Sequence, residues 1–76
     1  MYSRHQQLFL LDYIEKHIIE GNEHIATMRR LVAEGERQRF DVAEAKFLLA
    51  EFLIAQAQRQ AHRAQVLREL GVIGSV

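Results

Sequence analysis

Residues 11–35, LDYIEKHIIEGNEHIATMRRLVAEG, carry apolar or small side chains at alternating spacings of three and four. Two columns recur every seven positions, with Leu11, Ile18, Ile25 and Val32 in one and Ile14, Gly21, Met28 and Gly35 in the other. Such a heptad seam is typical of a helix that packs along its length against other helices. The pattern passes Gly21 without a change of phase. It therefore predicts one helix over about residues 4–34, with Gly21 at a bend or at a close helix approach.

Residues 35–41 are predicted to form the turn after this helix. Gly35 can adopt the left-handed conformation that ends a helix, and Asp41 with Glu44 has the spacing of a capping box. A second helix is therefore predicted over about residues 42–70. Gly71 ends it, and residues 71–76 form a short tail.

The second predicted helix is apolar on nearly all sides in its first half. Residues 42–55, VAEAKFLLAEFLIA, are broken only by Glu44, Lys46 and Glu51. So wide an apolar surface indicates burial on more than one side. One line of this helix continues with small residues that allow a second helix to approach closely; it runs Phe47, Ala50, Ile54, Ala57, Ala61 and Ala64.

The distribution of charge favours an antiparallel pair of helices. The first half of the first helix is mostly acidic and its second half carries Arg29 and Arg30, whereas the second helix begins acidic and ends basic. Folding back near residue 38 sets acid beside base at both ends, although each exposed pair is worth only roughly 0.2–1 kcal/mol. The predicted fold is all-α, an antiparallel two-helix hairpin that forms a single domain over residues 1–76.

Two helices form one layer, which must bury its apolar face on something else. A symmetric dimer, giving an antiparallel four-helix bundle, is the simplest solution; a higher oligomer and a hairpin that pairs with another protein are the alternatives. We also expect core positions at Phe47, Phe52, Met28 and Tyr13. The residues predicted to form the oligomer interface are Leu11, Ile14, Ile18, Ile25, Met28, Val32, Phe47, Ala50, Phe52, Ile54, Ala57 and Ala61.

Composition excludes several classes of protein. The 76 residues include no cysteine, which excludes disulfides and thiolate metal sites. Ten basic residues balance ten acidic ones, so the chain has no general attraction to nucleic acid or to an anionic membrane. The longest early apolar run, Leu8 to Leu11, is far shorter than a signal-peptide core or a membrane span. We therefore expect a cytoplasmic protein that does not bind membranes.

The segment HIIEGNEH, residues 17–24, is the stretch that most looks like a chemical site. His17, Glu20 and His24 share one side of the helix, and an antiparallel hairpin would bring His62 near His17. Bundle di-metal proteins need Glu-x-x-His motifs, and this chain has none. We interpret the histidines as flanking residues of the seam and expect no metal. His17, His24 and His62 would serve as zinc ligands only if a dimer mate completed the site.

No catalytic constellation is visible in the sequence. The serines, Ser3 and Ser75, lie near the ends, and no glycine-rich phosphate loop is present. We therefore predict a chain without catalysis and without a cofactor. Its expected role is a helical oligomerisation or protein-interaction module, which presents a rigid surface on the outside of the dimer or at the Leu8–Phe9 end.

A small dimeric regulatory nucleic-acid-binding protein is the alternative function. Acidic residues dilute the arginines that would carry it, and no aromatic residues are interleaved for base stacking, so a solvated charged face is favoured. Strong, salt-dependent retention on heparin or RNA would support this alternative. The candidate contacts are Arg29, Arg30, Arg37, Arg39, Arg59 and Arg63.

A further pattern spans residues 17–70. Its elements are Gly21, Ile25, Arg30, Val32, Ala33, Asp41, Ala45, Leu48, Leu49, Ala50, His62, Arg63 and Leu67 to Leu70. This pattern resembles a group of small alphaproteobacterial proteins of the rhizobial type. Residues 1–16 lie outside the match, and residues 38–41 depart from the glycine-containing turn of that group. The resemblance implies a helical hairpin in a bacterial cytoplasm and implies no activity.

Overall fold

The computed structural model describes residues 3–71, and these form two helices joined by a short turn. Helix α1 comprises Arg4–Arg37 and helix α2 comprises Ala43–Glu69. The helices run antiparallel, since Arg4 at the start of α1 donates to the backbone oxygen of Leu70 at the end of α2. The predicted all-α hairpin is confirmed. The predicted tail, apart from Gly71, lies outside the described residues.

The buried side of α1 is the predicted heptad seam. Leu11 and Met28 are half-buried on this line, and its buried members are Ile14, Ile18, Gly21, Ile25, Val32 and Gly35. The heptad spacing keeps the same side of α1 against α2 over about seven turns, from Leu11 to Gly35. A buried hydrophobic cluster lies near the open end of the hairpin, away from the turn, where Ile14 and Ile18 pack with Val66 and Leu70.

The residues of α2 that face α1 do not belong to the apolar line of Phe47, Ala50 and Ile54 described from the sequence. Phe47 is 63% exposed, so its prediction as a core residue is wrong within the hairpin. Tyr13 was also predicted to be core and is more than half exposed, because it lies one position before the seam residue Ile14. The buried and half-buried residues that form the α2 seam are Val42, Ala45, Leu49, Phe52, Gln56, Arg59, Arg63, Val66 and Leu70.

A buried glutamine marks the middle of the interface. Gln56 is 7% exposed, and its Nε2 donates to the backbone oxygen of Ile18 at 2.7 Å and to Asn22 Oδ1 at 2.8 Å. Its Oε1 accepts from Arg59 at 3.1 Å. The amide fits because Gly21 has no Cβ, since one built there would lie 2.2 Å from Gln56 Oε1. Gly21 therefore marks a close approach of the two helices within a continuous α1. The fully hydrogen-bonded Gln56 amide fixes the alignment of α1 with α2.

The turn differs from its predicted form at Gly35. This glycine is buried inside α1, and the helix ends two residues later at Arg37. The left-handed conformation is adopted by Arg39, whose φ is 62°. Gly35 instead provides a second close approach, because a Cβ there would lie 2.5 Å from Val42 Cγ1.

The predicted capping box at Asp41 and Glu44 is also wrong. The N-cap of α2 is Val42, which makes no side-chain cap hydrogen bond, and Asp41 Oδ1 accepts from the backbone N–H of Ala43 at 3.0 Å. Asp41 therefore stabilises the start of α2 from the residue before the N-cap, whereas the sequence predicts it as the N-cap itself. Gly71 ends α2 with a φ of 78°, as predicted.

Helix α1 begins with a capping box that the sequence analysis did not identify. Ser3 Oγ accepts from the backbone N–H of Gln6 at 3.2 Å, and Gln6 Oε1 accepts from the backbone N–H of Ser3 at 3.0 Å. Two of the orphan donors at the helix start are satisfied in this way.

One of the two ion pairs between the helices follows the predicted pairing of acid with base: toward the open end, Arg63 Nε donates to Glu15 Oε2 at 3.1 Å. Near the turn the polarity is the reverse of the predicted one, because Lys46 Nζ of α2 lies 2.9 Å from Glu36 Oε2 of α1. Both pairs lie on one edge of the hairpin. Within residues 3–71, neither helix has the length and apolar character needed to cross a membrane.

Candidate self-association surface

The outer side of α2 carries a second apolar seam. Phe47 and Ile54 are 63% and 56% exposed, and Ala50, Ala57 and Ala61 on the same line are exposed as well. Spacings of three and four place these residues along one side of the helix. We call this line the outer seam of α2. It is uncovered within residues 3–71, whereas the other seam of α2 packs on α1.

The apolar surface extends from the outer seam toward α1. Leu53 is 40% exposed and lies between the outer seam and the side of α2 that faces α1. On α1, Ile19 is 59% exposed and lines a shallow groove with Glu15, Gln60 and Arg63. Ile19 therefore shares the edge of the hairpin that carries the Glu15–Arg63 pair.

The predicted interface residues divide into two groups. One group lies between α1 and α2 and is buried or half-buried there: Leu11, Ile14, Ile18, Ile25, Met28, Val32 and Phe52. The other group is exposed: Phe47, Ala50, Ile54, Ala57 and Ala61. Only the second group is accessible to another chain, because the first is already packed within the hairpin.

A separate group of exposed apolar side chains lies near the start of α1. Leu8 and Phe9 are exposed there, and a pocket is lined by Phe9 with His5, Gln6 and Leu10. This is the end of α1 that the sequence predicts as an alternative surface for a protein partner.

The arginines predicted as possible nucleic-acid contacts are partly engaged by other side chains. Arg63 pairs with Glu15 and Arg59 donates to Gln56, and both arginines are half-buried in the α2 seam. Arg37 pairs with Glu34 on α1. Arg29, Arg30 and Arg39 are exposed. The α2 arginines are therefore committed to the hairpin interface.

The histidines lie beside aromatic residues or in solvent. The His17 ring lies 4.3 Å from that of Tyr13, and the His24 ring lies 5.7 Å from that of Phe52. His62 is exposed. Among residues 3–71 there is no group of three or more histidine, cysteine, aspartate or glutamate residues placed to hold a metal ion.

Sequence reasoning missed two contributors to the exposed apolar surface, Leu53 and Ile19. Leu53 lies inside the apolar run of residues 42–55, which was interpreted as one broad surface, and Ile19 lies next to the seam residue Ile18 but outside both heptad columns. For Ile19 a signal was present, because it lies seven residues before Ala26 and fourteen before Ala33, in a column that directly follows one column of the α1 seam. Leu53 has no such signal, since Lys46 and Gln60 lie seven residues to either side of it.

Comparison of the chain with protein-family models, with curated proteins and with solved structures gives no match in any of the three.

Proposed function

We propose that this chain is a non-catalytic helical module that self-associates into a dimeric four-helix bundle and presents the outside of that bundle to a protein partner. The observation that carries the proposal is the outer seam of α2, where Phe47 and Ile54 remain more than half exposed in the hairpin. Helices of monomeric soluble proteins normally bury such a line of apolar side chains in the protein core. A line that stays exposed is therefore typical of an interaction surface.

The small core of the hairpin supports self-association. No described side chain is fully buried, and the buried hydrophobic residues are Ile14, Ile18, Ile25, Val32, Val66, Leu67 and Leu70. Chains of this length generally need disulfides, a metal or oligomerisation for stability, and this chain has no cysteine. A second copy over the outer seam supplies the additional apolar burial.

The polar side chains at the centre of the hairpin support a structural role. Gln56, Asn22 and Arg59 converge there, but their contacts are to one another and to the backbone of Ile18. Ser3 is engaged as a helix cap. The resemblance to small rhizobial-type proteins adds a bacterial cytoplasmic setting to the proposal.

The proposal is tested by the native mass, measured by light scattering on a size-exclusion column over a 100-fold range of concentration. We expect the mass at high concentration to be twice the 8.9 kDa of the single chain. Ile54→Asp should shift the protein toward monomer, because it places a carboxylate on the outer seam. Gln58→Asp, at another exposed position of α2 outside that seam, is the control. A monomer at every concentration would overturn the proposal.

A further inference from the structure

The turn of the hairpin reverses the chain through an unfavourable backbone conformation. Arg39 has a φ of 62°, in the left-handed region that is disfavoured for a residue with a Cβ. Glycine or asparagine usually occupies such a position, but residues 36–42, ERQRFDV, contain neither of them and no proline. The chain reversal is therefore a strained part of the hairpin.

The turn also buries little surface and makes few bonds that only a turn can make. Its backbone hydrogen bonds include those from Arg39 N–H to Glu36 O at 3.1 Å and from Phe40 N–H to Gly35 O at 2.8 Å. A continuous helix would replace both with bonds to the residue four positions earlier. The exposed residues of the turn are Gln38, Arg39, Phe40 and Asp41.

The start of α2 is a second weakly stabilised feature of this region. Its N-cap is Val42, which makes no side-chain cap hydrogen bond, and valine is a poor N-cap residue. Residues 36–39 are glutamate, arginine, glutamine and arginine, all of which favour a helix. A helix that continued through the turn would need no cap at this point.

One column of the helix interface continues through the turn at an unbroken spacing of seven. Its second column is offset by one residue between the helices, since it passes through Val32 in α1 and Ala45 in α2. Coiled coils accommodate such an offset by a local change in winding. The sequence is therefore compatible with a single helix whose two halves face a common partner. The members of the unbroken column, all buried or half-buried, are Gln7, Ile14, Gly21, Met28, Gly35, Val42, Leu49, Gln56, Arg63 and Leu70.

We propose that the hairpin opens at its turn into one continuous helix over residues 4–69, and that two opened chains pair antiparallel. In this domain-swapped dimer, α1 of each chain packs on α2 of the other through the same contacts as in the hairpin. The partner is a second copy, and the hinge is the segment 38–42. The inference does not rest on the proposed function, because it uses the α1–α2 contact rather than the outer seam of α2.

The alignment of the hairpin is consistent with a two-fold axis at the turn. Gly21 and Gln56, which pack together, are equally distant in sequence from the point between residues 38 and 39. Gly35 and Val42 are also equally distant from that point. Two antiparallel helices whose axis lies there therefore reproduce both close approaches, now between chains instead of within one.

The turn sets the balance between the two forms, because the contacts between the helices are the same in both. Opening removes the left-handed conformation of Arg39. It also places Glu36 and Arg39 three residues apart on one helix, where opposite charges attract. Joining two chains costs translational and rotational entropy, so the swapped form increases with concentration. Exchange between the forms is slow, because the buried α1–α2 contact must break first.

The two forms differ in length. The longest extent of the hairpin is 52 Å, whereas a helix over residues 4–69 spans about 100 Å at 1.5 Å per residue. Two hairpins packed side by side would keep nearly the length of one. The longest particle dimension from small-angle X-ray scattering therefore distinguishes a domain-swapped dimer from a bundle of hairpins.

A disulfide across the helix interface reports which chain supplies α2, because the chain has no cysteine of its own. A Cβ at residue 21 would lie 2.8 Å from Gln56 Cδ, so Gly21→Cys combined with Gln56→Cys places two thiols within disulfide reach. The double variant is refolded from urea at two concentrations 100-fold apart and then oxidised. We expect at least five-fold more covalent dimer at the higher concentration. Gly21→Cys alone is the control and should stay unlinked.

Glycine at the hinge tests the cause of opening. Arg39→Gly relieves the left-handed strain of the hairpin and weakens the continuous helix in both chains. It should therefore raise the dissociation constant of the swapped dimer by about 100-fold or more, and the covalent dimer of the double cysteine variant should disappear. Arg37→Gly, at a position that is helical in both forms, should change the constant by less than about three-fold. Equal effects of the two glycines would overturn the turn as the hinge.

These measurements separate the inference from the proposed function. Disulfides that close within single chains at every concentration would overturn the domain swap, and a doubled native mass in the same samples would still support the bundle of hairpins. Ile54→Asp should leave the covalent dimer and its length of about 100 Å unchanged, because Ile54 lies outside the α1–α2 contact. Loss of the linkage between chains in Ile54→Asp would overturn the domain swap and place the contact on the outer seam.

Discussion

The two helices of this hairpin use their apolar residues differently. Helix α1 places its heptad seam of isoleucine, valine and glycine against α2. The side of α2 that packs on α1 includes the polar residues Gln56, Arg59 and Arg63, while Phe47 and Ile54 remain exposed. The more apolar line of α2 is thus not the line that packs within the chain. The difference supports the proposal that α2 contacts two neighbours, of which the hairpin supplies one.

The largest expected effect comes from a matched pair of isoleucines, one in each environment. Ile14 is 5% exposed, and Ile14→Ala should lower the free energy of unfolding by about 3 kcal/mol through lost burial and a cavity. Ile54→Ala should cost less than about 0.5 kcal/mol when measured at concentrations where the protein is monomeric. Urea unfolding followed by circular dichroism gives both values. Equal losses in the monomer would break the comparison between the two helices.

The same pair of variants should reverse in order of effect on the dimer. Ile54→Ala should weaken self-association, whereas Ile14→Ala should leave the dissociation constant of the folded fraction nearly unchanged. The concentration dependence of the thermal midpoint measures self-association. A second copy that binds only the folded chain raises the midpoint as the concentration increases.

The next effect concerns the fit between Gly21 and Gln56. Gly21→Ala should lower the free energy of unfolding by about 1–2 kcal/mol. The new methyl displaces the Gln56 amide from its hydrogen bonds to Ile18 and Asn22, and this loss exceeds the gain in helix propensity. In a Gln56→Ala background the same change should stabilise the protein by about 0.5–1 kcal/mol, because only the propensity term remains. A double-mutant cycle checks the reversal of sign. A change of the same sign in both backgrounds would show that the amide is not what requires glycine at this position.

The Gly21–Gln56 contact also explains how far the sequence predicts the fold. The two helices, their antiparallel pairing and the α1 seam follow from heptad spacing and charge, because these depend on residues that are close in sequence. The α2 seam does not follow in this way. Which residues of α2 face α1 depends on two spaces beside glycines of α1, which are occupied by Gln56 and Val42. It also depends on the hydrogen bond from Arg63 to Glu15. A line that contains such polar residues looks weaker than its apolar neighbour until the opposing helix is known.

The candidate surface was predictable to a similar degree. The sequence identified Phe47, Ala50, Ile54, Ala57 and Ala61 as interface residues, and these are accessible in the hairpin. The other predicted members lie between α1 and α2, because sequence periodicity cannot distinguish a contact within one chain from a contact between chains. The single hairpin resolves that ambiguity for each residue by burying it or leaving it exposed.

The helix starts offer a smaller test of the contrast between α1 and α2. Ser3 forms a complete capping box on α1, and Ser3→Ala should lower the free energy of unfolding by about 1 kcal/mol. Asp41 makes one hydrogen bond, to the backbone of Ala43, from outside the N-cap of α2, so Asp41→Ala should cost about half as much. Thermal midpoints should fall by about 4–8 °C per kcal/mol in a chain of this size. A larger loss at Asp41 would mean that α2 depends more on its first turn than its hydrogen bonds indicate.

The smallest expected effect separates ion pairs that join the helices from those along one helix. The Arg63 and Glu15 side chains, whose N and O atoms are 3.1 Å apart, are 38% and 44% exposed. The Lys16 and Asp12 side chains on α1, 3.2 Å apart, are 70% and 66% exposed. Solvent screens both pairs, so Arg63→Gln should cost only about 0.5 kcal/mol and Lys16→Gln about 0.2 kcal/mol or less. The difference should shrink in 1 M salt, where the screening length falls to about 3 Å. If Arg63→Gln costs as much in 1 M salt as in dilute buffer, the contribution of Arg63 comes from its packed aliphatic stem within the α2 seam. The polar half of that seam would then be held by packing in the same way as its apolar half.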